Sequence, residues 1–190
     1  GLASTVQAFD LVGQGCAAAL PNLQLGRSLI ASRTANHVLS ICAEMSSAAM
    51  YLDDDPRVLI SACLFGDGAG AAVLSTAPAA NGRRIEWRDS ASLLVPAQRK
   101  ALMFEQRDGM LRNILTREVP ALAAEHAHRV CETVLDRNDL HGDDIAAWIV
   151  HAGGRDVLLA FERRFELDRE ALRYSAGMLR EYGNLSSAFV

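Results

Sequence analysis

Trp148-Ile149-Val150-His151-Ala152-Gly153-Gly154 reads as the end of a buried strand: an apolar run, then a histidine, then small residues and two glycines that stop regular structure. Helical patterns follow at residues 155–165 and 168–180, the second ended by Gly183. Upstream, Val119, Leu122, Ala123, Ala127, Val130, Cys131 and Val134 share one helical face. A strand between helices is the repeating unit of a layered α/β fold, and the rest of the chain continues the pattern. Residues 6–12 read as a buried strand, closed by Gly13 and Gly15. Residues 17–30 read as a helix, 37–42 as a strand and 56–63 as a helix opened by Pro56. The glycine-rich passage Phe65-Gly66-Asp67-Gly68-Ala69-Gly70 leads into a strand at 71–74. Residues 78–84 read as a loop and 85–88 as a candidate strand, and 90–109 carry several charges without a clear period. Ala188-Phe189-Val190 reads as the start of a further strand.

Composition narrows the function classes. The 190 residues carry 19 Lys+Arg and 23 Asp+Glu, a formal net charge of −4, which argues against the basic footprint of nucleic-acid binding. Hydrophobic residues make up 50% and charged residues 22%, a globular balance too apolar for disorder. No apolar run is long enough for a spanning helix. Cys16, Cys42, Cys63 and Cys131 stand alone in apolar contexts, unlike a secreted disulfide framework, so reduced thiols and a cytoplasmic setting are expected.

Three residues carry candidate chemistry. Cys16, in Gly13-Gln14-Gly15-Cys16-Ala17-Ala18, sits at a strand-to-helix junction, where the helix dipole favours a thiolate and small neighbours admit a substrate. A small buried core residue is the alternative. His151 stands at the C-terminal end of its strand, where α/β folds place ligand chemistry; a histidine satisfied at a strand end is the alternative. Asn184 lies in Glu181-Tyr182-Gly183-Asn184-Leu185-Ser186-Ser187 and reads alone as a turn residue. Together the three supply a nucleophile, a base and a neutral donor, a set suited to acyl transfer through a thioester. His126, His128 and Cys131 share a helix, but the two histidines diverge from one another, so no metal site is expected. The Gly-x-Gly-x-Gly of 66–70 precedes a strand and is a poor dinucleotide loop.

Four motifs in register resemble the chalcone-synthase-like type III polyketide synthases of the thiolase fold, in their bacterial type. They are Gly15-Cys16-Ala17-Ala18, Leu64-Phe65-Gly66-Asp67-Gly68-Ala69, His151-Ala152-Gly153-Gly154 and Glu181-Tyr182-Gly183-Asn184-Leu185-Ser186-Ser187. The separations between Cys16, His151 and Asn184 fit the family too. The resemblance implies a thiolase-like layered fold with mixed sheets, incomplete at both ends. Residues 1–75 would be the end of a first half carrying the nucleophile. Residues 76–190 would be most of a second half carrying His151 and Asn184, without its final strands. It implies a homodimer and CoA thioester substrates with no separate cofactor.

In such enzymes the cysteine takes an acyl group from a starter acyl-CoA, and the histidine pairs with its thiolate. Histidine and asparagine bind the malonyl-CoA carbonyl during decarboxylation, and the enolate then extends the chain. The resemblance makes Phe65 a gatekeeper, puts Ser46 and Ala49 on the elongation cavity, and adds Ser186 to the substrate-binding set. Arg117 falls at a basic position by the CoA entrance. A second gatekeeper falls at Arg112 or Asn113, neither aromatic. With the small Ala49, this leads to an expected aliphatic starter and a pyrone or resorcinol-type product. Ala152 stands where the family usually has proline; His-Ala-Gly-Gly also occurs in ketoacyl-CoA synthases, so single-round condensation by a 3-ketoacyl-CoA or ketoacyl-acyl-carrier-protein synthase is the competing reading. An inactive fragment or interaction module is a third.

Overall fold

The computed structural model describes residues 3–77 and 84–189. The expected loop at 78–84 lies outside them except for Arg84, and Val190 lies outside as well. Among the described residues six α-helices are found: α1 (Ala19–Ala31), α2 (Ser46–Ala49), α3 (Pro56–Leu64), α4 (Val119–Arg137), α5 (Arg155–Arg164) and α6 (Arg173–Tyr182). Four strands accompany them: β1 (His37–Glu44), β2 (Gly68–Ser75), β3 (Leu102–Arg107) and β4 (Met110–Leu115). Short 3-10 turns at Gly15–Ala17 and Ser186–Phe189 lie at opposite ends of the chain and meet in space.

β1 and β2 form an antiparallel pair running from His37↔Ser75 to Glu44↔Gly68. α1 lies on this pair. A Cβ added at Gly26 would stand 3.1 Å from Val38 Cγ1, so the missing side chain is what lets helix and sheet approach. Asn22 Nδ2 donates to the Ile41 carbonyl at 3.0 Å and fixes the register of α1 along β1. β3 and β4 make a hairpin closed by Asp108-Gly109, both at positive φ (50° and 80°), the conformation a two-residue hairpin loop demands. The loop signal is present in the sequence, inside the stretch whose charges obscure any period.

The apolar core belongs to the second half. Ala124, Val150, Ala152, Leu158, Phe161, Leu172, Leu185 and Phe189 form one buried cluster between α4, α5, the 150–152 segment and the last turn. Arg164 Nε donates to Glu125 Oε2 at 2.6 Å and ties α5 to α4. Ser175 Oγ, on α6, accepts the Val150 N–H at 2.8 Å.

Three expected strands form no ladder. Residues 6–12 run as exposed coil, with Val12 77% accessible. Residues 85–88 and 145–150 are likewise unpaired, and only Val150 of the latter is buried. An apolar run becomes a strand only where a neighbour takes its N–H and C=O groups, and among the described residues none lies alongside these three. The sheets described here are therefore two antiparallel pairs. The last expected strand is also corrected: Ser186–Phe189 is a 3-10 turn, entered through Ser186 at φ 52°. The helix expected over 168–180 begins only at Arg173 and runs to Tyr182.

Candidate active site

Two of the motifs are halves of one structure. Asn184 N–H donates to the Leu64 carbonyl at 2.7 Å, and Gly66 N–H donates to the Asn184 carbonyl at 2.9 Å. Phe65 and Asn184 thus form a parallel bridge that joins distant parts of the chain. Two glycines make it possible. A Cβ at Gly66 would lie 2.1 Å from the Tyr182 carbonyl oxygen. Gly183 ends α6 at φ 75°, a conformation natural to glycine, and a Cβ there would lie 2.9 Å from the Leu64 oxygen. Asp67 has a different task. Its carboxylate accepts the backbone N–H of Ser47 at 2.8 Å and the Ser47 hydroxyl, which hold it below the usual carboxylate range and pin α2 to the start of β2.

The chain then turns through Ser186–Phe189, and this turn collects the candidate chemistry. Ser186 Oγ donates to Cys16 Sγ at 3.4 Å. Ser186 N–H donates to Asn184 Oδ1 at 2.9 Å, which orients the carboxamide. Phe189 meets the His151 ring edge-on, with centroids 5.3 Å apart. Asn184 Nδ2 donates to the Gly153 carbonyl at 3.4 Å, a long bond. His151 Nε2 and Asn184 Nδ2 lie 4.0 and 3.9 Å from the point a Gly153 Cβ would occupy. Both nitrogens thus lie within van der Waals reach of one point beside Gly153. Cys16 and His151 are linked through the turn, with no direct hydrogen bond between them among the described residues.

Burial works against the charged forms of both Cys16 and His151. Burial pushes the Cys16 thiol up; the Ser186 hydrogen bond opposes this and the Glu44 charge adds to it. The three-residue Gly15–Ala17 turn ahead of α1 does not outweigh the loss of water. Burial holds the His151 imidazolium below its ordinary value, and its Nδ1 is buried without a partner. Both shifts favour the uncharged form of the group.

The remaining predicted residues are spread out. Phe65 stands at the bridge beside Asn184. Ser46 is half-buried and Ala49 exposed, both on α2. Arg112 and Asn113 face opposite sides of β4. Arg112 Nη2 binds Asp55 Oδ2 at 2.6 Å, and its Nη1 lies 3.6 Å from Glu105. Asn113 is buried and donates to Ser61 Oγ on α3 at 2.7 Å. Neither touches the Cys16 cluster. Arg117 is exposed in the turn before α4. His126 pairs with Gln98 and His128 with Glu132.

Sequence reasoning missed three residues. Glu44, the last residue of β1, accepts from both the N–H (3.2 Å) and the hydroxyl of Ser187. Its signal was a lone acid closing an apolar strand. Phe189, read as a strand residue, is the aromatic neighbour of His151. Phe104, opposite Asn113 in the hairpin, brings Cε2 to 3.9 Å from where a Gly15 Cβ would stand, next to Cys16.

A thiol, an imidazole and a carboxamide gather around the Ser186–Phe189 turn, in a fold of the thiolase-like class. Known proteins make the assignment narrower. Residues 86–190 match the profile "Chalcone and stilbene synthases, C-terminal domain", and residues 9–91 match that of 3-oxoacyl-[acyl-carrier-protein] synthase III. The chain belongs to the chalcone and stilbene synthase family. It is 32% identical over 184 residues to a 3,5-dihydroxyphenylacetyl-CoA synthase of Streptomyces toyocaensis, covering 94% of this chain and 47% of that protein. It is 34% identical over 181 residues to the Amycolatopsis orientalis enzyme of the same name, covering 94% and 48%. Among solved structures, PKS-I of the brown alga Ectocarpus siliculosus superposes with a TM-score of 0.83 at 26% identity, over 92% of this chain and 48% of that one. The 1,3,6,8-tetrahydroxynaphthalene synthase of Streptomyces coelicolor A3(2), a bacterial type III polyketide synthase, gives 0.81 at 27%, over 92% and 49%. The chain spans about half the length of these relatives.

Proposed function

We propose that the intact protein is an acyltransferase that condenses malonyl-CoA onto an acyl-CoA starter held as a thioester on Cys16. The observation that carries this reading is the meeting of Cys16, His151 and Asn184 around the Ser186–Phe189 turn and Gly153. His151 takes the Cys16 proton, and the sulfur attacks the starter carbonyl. The departing CoA sulfur recovers a proton, and acyl-Cys16 remains. Malonyl-CoA then loses carbon dioxide. The electron pair left behind forms an enolate whose oxygen sits between the His151 and Asn184 nitrogens. Fixed donors at a developing oxyanion are worth several kcal/mol, about 3 for a single one. The enolate carbon attacks acyl-Cys16, forming a C–C bond and breaking the C–S bond.

The substrates in this reading are CoA thioesters, with no separate cofactor, and the protein works as a cytoplasmic homodimer. Its halves divide at about residues 75/76. Phe65, Ser46, Ala49, Arg117 and Ser186 line the substrate path, and one of Arg112 and Asn113 stands at the second gate. The starter is aliphatic. The relatives' names describe hydroxylated aromatic rings, which favours a resorcinol-type product over a pyrone. The test is malonyl-CoA decarboxylation by the intact protein. His151→Gln and Asn184→Ala should each lower it while leaving the fold unchanged. Unimpaired decarboxylation in both would remove the enolate site. Weighing the products from acyl-CoA and malonyl-CoA separates repeated extension from a single round.

A further inference from the structure

We propose that Asp67 is a positioning residue for chain extension: its carboxylate holds Ser47 and so sets α2, which carries Ser46 and Ala49, relative to the bridge that holds Asn184. The inference rests on the reading of Ser46 and Ala49 as walls of the substrate path. α2 is four residues long, a single turn closed by the Met50 N–H on the Ser46 carbonyl at 3.0 Å. A turn so short has little helical stability of its own, and its place is set by what anchors it. Met45, which precedes it, makes no side-chain cap. Contacts from distant chain hold it at both ends. At its start, Asp67 Oδ1 accepts the Ser47 N–H at 2.8 Å and Oδ2 accepts the Ser47 hydroxyl, a paired hold strengthened by the carboxylate charge. Just beyond its end, the Tyr51 N–H donates to the Leu111 carbonyl of β4 at 2.7 Å. The end anchor is backbone; the start anchor belongs to the Asp67 side chain.

The neighbours of Asp67 tie this anchor to the site. Gly66, just before it, donates its N–H to the Asn184 carbonyl at 2.9 Å, within the Phe65–Asn184 bridge. Gly68, just after it, opens β2 and pairs with Glu44. Glu44 binds Ser187 on the turn that meets Cys16 and His151, and α2 begins two residues beyond Glu44. Asp67 thus stands where the bridge, the end of the sheet and α2 join. The catalytic groups have holds of their own: Ser186 on Cys16, Leu64 and Gly66 on the Asn184 backbone, and the Ser186 N–H on its carboxamide. Releasing α2 leaves those contacts in place and moves the walls that a growing chain meets. Acyl loading of Cys16 and the later extension steps therefore respond differently to loss of Asp67.

Two substitutions in the intact protein test this. Asp67→Asn keeps an oxygen for the Ser47 N–H, and its amide can donate to the Ser47 hydroxyl; Asp67→Ala removes both contacts. The readouts are amide exchange at Ser47, acylation of Cys16 by hexanoyl-CoA alone, the kcat and KM of extension with malonyl-CoA, and product masses. In Asp67→Ala, Ser47 should exchange about tenfold faster or more as α2 opens locally. Cys16 acylation should stay within about twofold of wild type, while kcat for extension falls at least about threefold at unchanged KM. The products should shift towards chains released after fewer extensions. Asp67→Asn should stay near wild type in every readout. If Asp67→Ala does not fold, Ser47→Ala replaces it; it removes the hydroxyl contact alone and should give the same product shift at smaller size. Wild-type exchange at Ser47 in Asp67→Ala, or wild-type extension and products in the folded variant, would overturn the proposal. So would acylation and extension falling together, the mark of a general loss of structure. Absence of any acyl-Cys16 in the wild-type protein would instead strike the condensing function, and exchange at Ser47 would still decide whether Asp67 holds α2.

Discussion

Gly66→Ala should undo the junction that joins the two motifs. The added Cβ would stand 2.1 Å from the Tyr182 carbonyl oxygen and 3.3 Å from Leu185 Cδ2. Restoring ordinary contact needs a movement of roughly 1 Å, which takes both neighbouring backbone bonds beyond hydrogen-bond length. The bonds at stake are Gly66 N–H to Asn184 and Asn184 N–H to Leu64. Each is worth about 1 kcal/mol net, so their loss costs about 2 kcal/mol. Overpacking against Leu185 adds about 1–3 kcal/mol, for a total of about 3–5 kcal/mol. Asn184 would move with the bridge, so decarboxylation should fall as well. The assay is chemical denaturation of the intact protein together with amide exchange at Gly66 and Asn184. Gly177→Ala is the control. That glycine lies inside α6 with nothing within 4 Å of its would-be Cβ, and alanine there should stabilise by up to about 1 kcal/mol. A Gly66→Ala protein within about 0.5 kcal/mol of wild type, with both amides still protected, would refute the reasoning.

Gly153→Ala should behave in the opposite way. Its Cβ meets only ordinary contacts, so stability should hold, but it stands about 4 Å from both the His151 and the Asn184 nitrogens, where the proposed enolate would bind, and malonyl-CoA decarboxylation measured on the folded variant should drop at least about tenfold. His151 makes stability depend on pH. Its folded-state value lies below the unfolded one, so the unfolded chain binds more protons in acid, and stability should fall as pH drops from about 6.5 through the folded value. Denaturation midpoints against pH should flatten over that window in His151→Gln. Ser61→Ala should cost about 1–3 kcal/mol in a denaturant titration, because it strands the buried Asn113 amide.

The helices were legible because their apolar spacing is a local property. α1, α3, α4 and α5 begin and end within a few residues of where periodicity, Pro56 and the flanking polar residues place them. Strands were less legible. Residues 6–12 and 145–150 have the composition of buried strands, but pairing is settled by distant chain, and none lies beside them among the described residues. The β3–β4 hairpin was hidden for another reason. Its apolar and polar residues come in blocks, Leu102-Met103-Phe104 and then Glu105-Gln106-Arg107, so no period of two shows, and only Asp108-Gly109 announces the turn. In the candidate site, Cys16, His151 and Asn184 could be found because their motifs resemble a family. The physical reason for those motifs was not readable. That Gly66 is glycine because Tyr182 lies against it, and that Asp67 holds Ser47, depends on contacts between distant segments. The direction in which burial shifts Cys16 and His151 was likewise invisible, since it depends on contacts between distant segments.

The central claim is that Cys16 carries the acyl group during condensation. The direct measurement is peptide mapping by mass spectrometry after brief exposure of the intact protein to a starter acyl-CoA without malonyl-CoA. The account predicts the acyl mass on the peptide containing Cys16, its disappearance when malonyl-CoA is added, and no label in Cys16→Ala. Label on Cys42, Cys63 or Cys131 in its place, or undiminished labelling of Cys16→Ala, would contradict it.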